Sequence, residues 1–342
     1  MPDRLICVGS YTAETGGRGP GLTLLRPTGQ GGRLAPSGEL PLPGASWVEW
    51  HPTLPVLYAV HELAEGGVSA VAFDGEGVPT VRGTLPTGGA EPCHLAVTPD
   101  GRHLLAANYG SGSVAVFALD AAGDLVGRTD LVAHSGSGPD PDRQGGPHAH
   151  MVTLHGADGL LTVTDLGTDT LWTYRLAAGT GTLERVAASV LTAGTGPRQL
   201  IRATENRAYV VGELARELVV VAENGPGTFA PVASVPASGQ PGDDTMPAHF
   251  ALSPDGRFGY LSNRGPDTVA TFALGAEQPA LVGEHVLDAA WPRQFALDGD
   301  RMYVAAQESD TVVVLTVDHG TGSLTEEYRV PVGSPACVAI QP

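Results

Sequence analysis

Lysine is missing from this chain: the nineteen basic residues are all arginine. Schiff-base chemistry through a lysine side chain is therefore excluded, and with it covalent attachment of pyridoxal phosphate. Any buried cation must be a guanidinium, whose planar fork suits bidentate binding of carboxylate or phosphate. Cysteine is scarce: Cys7, Cys93 and Cys337 form an odd set without CxxC spacing. That pattern points to a reduced, cytoplasmic protein and not to a disulfide framework. Aromatic residues make up 6% of the chain and most lie inside strand-like runs. The exposed aromatic anchors of a non-catalytic scaffold that docks a protein partner are thus hard to find. No apolar stretch approaches the ~20 residues of a membrane span. The first residues, MPDRLICVGSYT, lack the basic-then-apolar pattern of a secretory leader. Positive charge is in deficit as well: 19 basic against 37 acidic residues leave a net charge of −18. Nucleic acid and anionic membranes are poor partners for such a surface. A small anionic substrate stays open where arginines cluster locally.

Glycine (47) and proline (28) are abundant in a chain of 342 residues that is 42% hydrophobic. That is too rich in turns for a helical protein and too apolar for a disordered one. Many short strands joined by tight turns fit best.

A repeat confirms this expectation. Its copies are SWVEWHPTLPVLYAVHE (46–62), PCHLAVTPDGRHLLAAN (92–108), PHAHMVTLHGADGLLTVTD (147–165), PRQLIRATENRAYVVGE (197–213), PAHFALSPDGRFGYLSN (247–263) and PRQFALDGDRMYVAAQ (292–307). They start 46, 55, 50, 50 and 45 residues apart. Each is followed by an alternating run such as SVAVFAL or TVVVLTV, and then by a weaker fourth strand. Four antiparallel strands in about 45 residues is the period of a β-propeller blade. A seventh blade is split. PACVAIQP at the end supplies one strand, and RLICVGSY, GLTLLRP and RLAPSGELPL at the beginning supply three. Pairing them closes the ring and removes two sheet edges. The expectation is an all-β, seven-bladed propeller forming one domain over 1–342, as a monomer or weak homodimer. The seam places Cys7 and Cys337 on neighbouring strands, where a disulfide is not expected in the cytoplasm.

Two polar rings follow from the repeat. The first strands begin with Trp47, Cys93 and His94, His148, Arg198 and Gln199, His249, Arg293 and Gln294, and Ala336. The second strands end with Glu62, Asn108, Asp165, Glu213, Asn263 and Gln307. Antiparallel return brings both rings to one mouth. Asn108, Asp165 and Asn263 also read as turn formers, and His94 and His249 as hydrogen-bonded channel residues. Glu213 would be costly to bury alone, and Arg198 in the same blade is its natural partner. The loops 134–146 and 237–246 overhang the mouth, and Arg143 and Gln144 are placed to reach inward. His148 and His150 can face the same side of a strand. They lack a third metal ligand and the HExxH pattern. A calcium cage of Glu62, Asn108, Asp165, Glu213 and Asn263 would be crowded by Arg198, Arg264 and Arg293. No metal and no cofactor is called for.

The stretches GSGPDPDRQGGPHAH (136–150), GPRQL with YVVGE (196–213) and PAHFALSPDGRFGYLSNRGPDTVATF (247–272) resemble the seven-bladed propeller lactonase family. That family includes propeller-type 6-phosphogluconolactonases and fungal carboxymuconate cyclases. The resemblance spans essentially the whole chain. It implies a catalytic set of His148, Arg198 and Glu213, with Arg264 or Arg293 as the second arginine. It implies hydrolysis of a sugar-derived lactone, most simply a 6-phosphogluconolactonase, with lactone-forming cycloisomerisation as the alternative. In either reaction Glu213 or His148 handles a proton and the arginines hold an oxyanion, carboxylate or phosphate. Arg293, Gln294, His94, Arg143, Gln199, His249, His150 and Asn108 are the expected substrate-binding residues.

Overall fold

Alternating runs such as Ser113–Leu119 and Thr311–Val317 form strands whose successive side chains point to opposite faces. The computed structural model describes residues 4–28, 32–156, 158–240 and 244–342. Its strands make seven four-stranded antiparallel sheets. Six are built from consecutive strands, starting at Val48, Pro92, Ala149, Pro197, Met246 and Pro292. In the seventh, Pro335–Ile340 pairs with Ile6–Ser10, followed by Gly21–Thr28 and Arg33–Pro41. The split blade expected from the two ends of the sequence is therefore present. Among the described residues, no helix is long and apolar enough to cross a membrane.

Each blade buries both faces, and alternate residues of one strand feed different interfaces. In Ile6–Ser10, Cys7 packs with Trp50 and Leu57 of the first blade, while Ile6 and Val8 pack with Val312 and Val314 of the sixth. Equivalent clusters fill the remaining junctions between neighbours. Outer strands such as Leu125–Ala133 alternate between exposed and half-buried, as edge strands facing water should.

Cys7, Cys93 and Cys337 are free and buried. Cys7 lies opposite Ala339, and Cys337 opposite Gly9. The two seam thiols are thus diagonal neighbours, a relation that separates residues by about 7–8 Å, beyond disulfide reach.

Candidate active site

The first strand of nearly every blade begins with the same irregularity. In blade two Pro92 pairs with Asn108 and His94 with Ala107, leaving Cys93 unpaired. The same shift leaves His150, Arg198, Ala248 and Arg293 unpaired in blades three to six. A β-bulge re-aims the side chain it carries. Here these residues, with Trp47 and Ala336 from the other two blades, line a cavity of about 30 Å³ on the propeller axis.

This register corrects two alignments made from sequence. Blade three starts at Ala149 and not at Pro147, because Ala149 pairs with Asp165 as Pro92 does with Asn108. His150 therefore holds the position of Arg198 and Arg293, and His148 sits above it at the mouth. The ring of strand-ending residues also combines two positions. Asn108, Asp165 and Asn263 pair within the inner ladder, whereas in blade four Gly212 does so. Glu213 lies one step further out: its amide donates to Gly196, as that of Tyr109 does to Glu91 and that of Tyr11 to Ser334. Tyr11, Glu62, Tyr109, Glu213, Arg264 and Gln307 thus share the outer position. The spacing to the third strand carried that signal. In blades two to five, Asn108, Asp165, Gly212 and Asn263 each precede the first residue of that strand by five.

Glu213 is the electrostatic centre. It is 2% exposed. Its Oε1 accepts from Arg143 Nη2 at 2.7 Å, and its Oε2 from Arg198 Nη1 at 2.9 Å and Arg264 Nη2 at 2.7 Å. Burial alone would push its carboxyl up. Arg264, Arg198 and Arg143 outweigh burial and hold it well below the usual carboxylate range. Arg264 is brought down to about 10, chiefly by burial and secondarily by the nearby Arg198 and Arg293, against the pull of Glu213. Backbone carbonyls fix both buried arginines: Arg198 Nε donates to Ala248 and Arg264 Nε to Met246. Arg143 descends from the 134–146 loop, whose Gln144 is buried and donates to Leu166 and Asp169. In the second loop, residues 241–243 lie outside the described residues; Asn263 Nδ2 donates to Ala237 at its start.

The histidines divide by depth. Arg198 Nη1 donates to His150 Nε2, so that nitrogen is the acceptor and the proton sits on Nδ1. Burial, and then Arg198, hold His150 well below the ordinary histidine value, and burial brings His94 and His249 down to about 3. All three are neutral near pH 7. His148 is half-buried and stacks on Tyr109, with ring centroids 4.4 Å apart. Its Nδ1 lies 2.9 Å from the Tyr109 carbonyl, which can only accept. The neutral ring therefore carries its proton on Nδ1 and leaves Nε2 as a base.

Several expected substrate contacts are committed to the scaffold. Gln199 clasps both backbone groups of Phe250, and Gln294 those of Val338. His94 Nδ1 accepts from the Val152 amide. These residues line the cavity, but their bonds tie each blade to the next. His249 also lines it, edge-on to Phe295. Asn108 is fully buried and donates to Ser113. Asp165 is a clamp: its Oδ1 accepts from the amides of His148, Gly167 and Thr168, and its Oδ2 lies 2.6 Å from His134 Nδ1. Tyr109 and Tyr11 are mouth residues that the sequence reading passed over, although both directly follow an inner-ladder position.

Gly167 shows how tightly His148 is held. A Cβ there would lie 1.9 Å from the Gly146 carbonyl and 2.9 Å from His148 Cδ2. Gly167→Ala should therefore displace the imidazole and lower kcat about 100-fold, the scale of an ångström-level misplacement. Kinetics beside a thermal melt showing a folded variant would check this; unchanged kcat would show that the position of His148 does not matter.

A family model described as "Lactonase, 7-bladed beta-propeller" matches residues 5–340. The chain is 32% identical over 293 residues to a 6-phosphogluconolactonase of Bacillus subtilis, covering 83% of each. Among solved structures, the periplasmic gluconolactonase of Pseudomonas aeruginosa superposes with a TM-score of 0.90 at 28% identity, over 99% of both chains. A putative 6-phosphogluconolactonase from Bacteroides fragilis gives 0.90 at 27%, over 99% of this chain and 98% of that one. The chain belongs to the seven-bladed β-propeller lactonase family.

Proposed function

We propose that this lactonase hydrolyses the lactone of a sugar acid that carries an anionic group, 6-phosphogluconolactone being the simplest such substrate. One observation carries the reading. On a protein of net charge −18, Arg143, Arg198 and Arg264 converge on the ionised Glu213 carboxylate, and Arg293 lines the same cavity as Arg198. Arg293 is half-buried, packs 5.0 Å over the Tyr11 ring and makes no hydrogen bond among the described residues. Its donors are left for a ligand, and a phosphate or carboxylate matches them.

The roles follow from the bonds. His148 Nε2 accepts a proton from water as the water attacks the lactone carbonyl. Arg198 and Arg264 steady the oxyanion that develops. Glu213, pinned by three guanidiniums, is too weak a base to compete with His148, so it orients the arginines. Arg293 takes the anionic group. The unit is residues 1–342 as one propeller, cytoplasmic, monomeric or weakly dimeric; limited proteolysis, fractionation and light scattering check these points.

The test is a panel of 6-phosphogluconolactone, gluconolactone and a carboxymuconate on wild type and Arg293→Ala. The variant should raise KM for the phosphorylated lactone about 10–100-fold, the worth of a charge-assisted bond, with little effect on gluconolactone. If the wild type loses nothing when the phosphate is removed, the anionic-substrate reading fails. Turnover of the carboxymuconate alone would replace hydrolysis with cycloisomerisation.

A further inference from the structure

A second carboxylate faces the same mouth. Glu62 directly follows the second strand of blade one, Val56–His61, and its amide donates to Gly44, as that of Glu213 donates to Gly196. The two acids hold corresponding places three blades apart, in opposite surroundings. Glu213 is ringed by guanidiniums. Glu62 is bound by hydroxyls: Tyr11 Oη lies 3.0 Å from both of its oxygens, and Ser46 Oγ bonds Oε2. Ser46, Cys93 and Arg293 all line the axial cavity, and the half-buried Glu62 stands at its edge. Burial pushes the Glu62 carboxyl up, opposed by Arg293, by the Ser46 and Tyr11 hydroxyls and by Arg198. The Cys93 thiol, itself pushed up by burial, stands nearby as an uncharged neighbour. When two carboxyls in one site are driven apart in this way, the raised one suits the acid role.

We propose that Glu62 is the general acid of the reaction, delivering its proton to the ring oxygen as the lactone opens; this assignment rests on the lactone-hydrolysis reading. Water adds to the carbonyl carbon and gives one proton to His148 Nε2. When the tetrahedral intermediate collapses, the bond between carbonyl carbon and ring oxygen breaks. The ring oxygen keeps the electron pair and takes the Glu62 proton, becoming the product hydroxyl. The carbonyl carbon becomes the carboxylic acid, which loses its proton to solvent. Imidazolium at His148 and carboxylate at Glu62 are then restored when one proton passes from the first to the second through mouth water. The hydroxyls of Tyr11 and Ser46 suit both states of Glu62, since each can donate to the carboxylate or accept from the acid.

The experiment compares wild type, Glu62→Gln and Tyr11→Phe on an oxygen lactone and on its ring-sulfur analogue, whose thiolate leaving group needs no proton. Glu62→Gln should lower kcat on the oxygen lactone by ~100-fold or more and on the thiolactone by less than about 5-fold. The alkaline fall of the oxygen-lactone pH profile should vanish with it. Tyr11→Phe removes a hydroxyl that favours the ionised form, so that fall should move to higher pH while activity stays above that of Glu62→Gln. Equal losses on both lactones, or an unchanged rate, would overturn the assignment and make Glu62 a scaffold residue. A wild type that opens neither lactone would overturn the hydrolysis reading itself.

Discussion

Glu213→Gln is expected to lose about 100–1,000-fold in kcat/KM, the range associated with removing one oriented oxyanion donor, and to be less stable by about 3–5 kcal/mol. Both effects have one cause. Arg198 and Arg264, 8% and 5% exposed, share the same carboxylate oxygen, and Arg143 takes the other. An amide of the same shape keeps the volume but removes the charge, leaving three guanidiniums to repel one another. Two of them are buried, where the loss is least screened. The stability difference should depend on pH in a defined direction. The folded-state pKa of Glu213 lies well below its ordinary 4.5. Its contribution is therefore complete above about pH 4.5 and is lost as the pH falls from there toward the folded-state value. Melting curves of wild type and variant should stay apart from neutral pH down to about 5 and converge in stronger acid. A gap that stays constant well below pH 4.5 would show that lost packing, and not lost charge, caused the destabilisation.

His148→Ala should lower kcat by ~100-fold or more with little change in KM, since general base catalysis contributes on that scale. The fold should survive, because the ring is half-buried and the Asp165 clamp grips the backbone amide and not the imidazole. Tyr109→Phe is the informative companion. It removes the hydroxyl that lies 3.4 Å from Arg143 but keeps the stacked ring and the carbonyl that fixes the His148 tautomer. It should therefore cost much less than His148→Ala. Steady-state rates of the two variants against wild type decide the matter. Equal losses would move the effect from the His148 base to the Arg143–Glu213 contact.

The fold was readable because a propeller repeats its signals. Alternating third strands such as SVAVFAL, Gly-containing hairpins such as Pro99-Asp100-Gly101, and a polar residue after each second strand recur in almost every blade. Even the split blade could be assembled from Ile6–Ser10 and Pro335–Ile340. The site was less legible, and the reason is register. Blade three carries two residues more between Pro147 and Asp165 than blade two carries between Pro92 and Asn108, so matching prolines misplaced His148 by two positions. Blade four has the opposite irregularity: a second shift between Arg202 and Thr204 shortens its hairpin. That moved Glu213 out of line with Asn108 and Asp165. Gln199 and Gln294 looked like ligand-binding amides because nothing local reveals that their partners are backbone groups of Phe250 and Val338, in other blades.

Blade number, ring closure and the presence of histidine, glutamate and arginine at one mouth all follow from local pattern, because period-two burial and turn chemistry act over a few residues. Which nitrogen of His148 is free, and which of two glutamates is pinned by guanidiniums, depends on contacts between residues 15 to 70 positions apart. Charge and tautomer are set by neighbours in space, and bulges displace side chains by a residue without leaving any mark in composition. Arg143, Arg198, Arg264 and Arg293 can be assigned to the mouth from the repeat, but only the tertiary structure brings three of them onto one carboxylate.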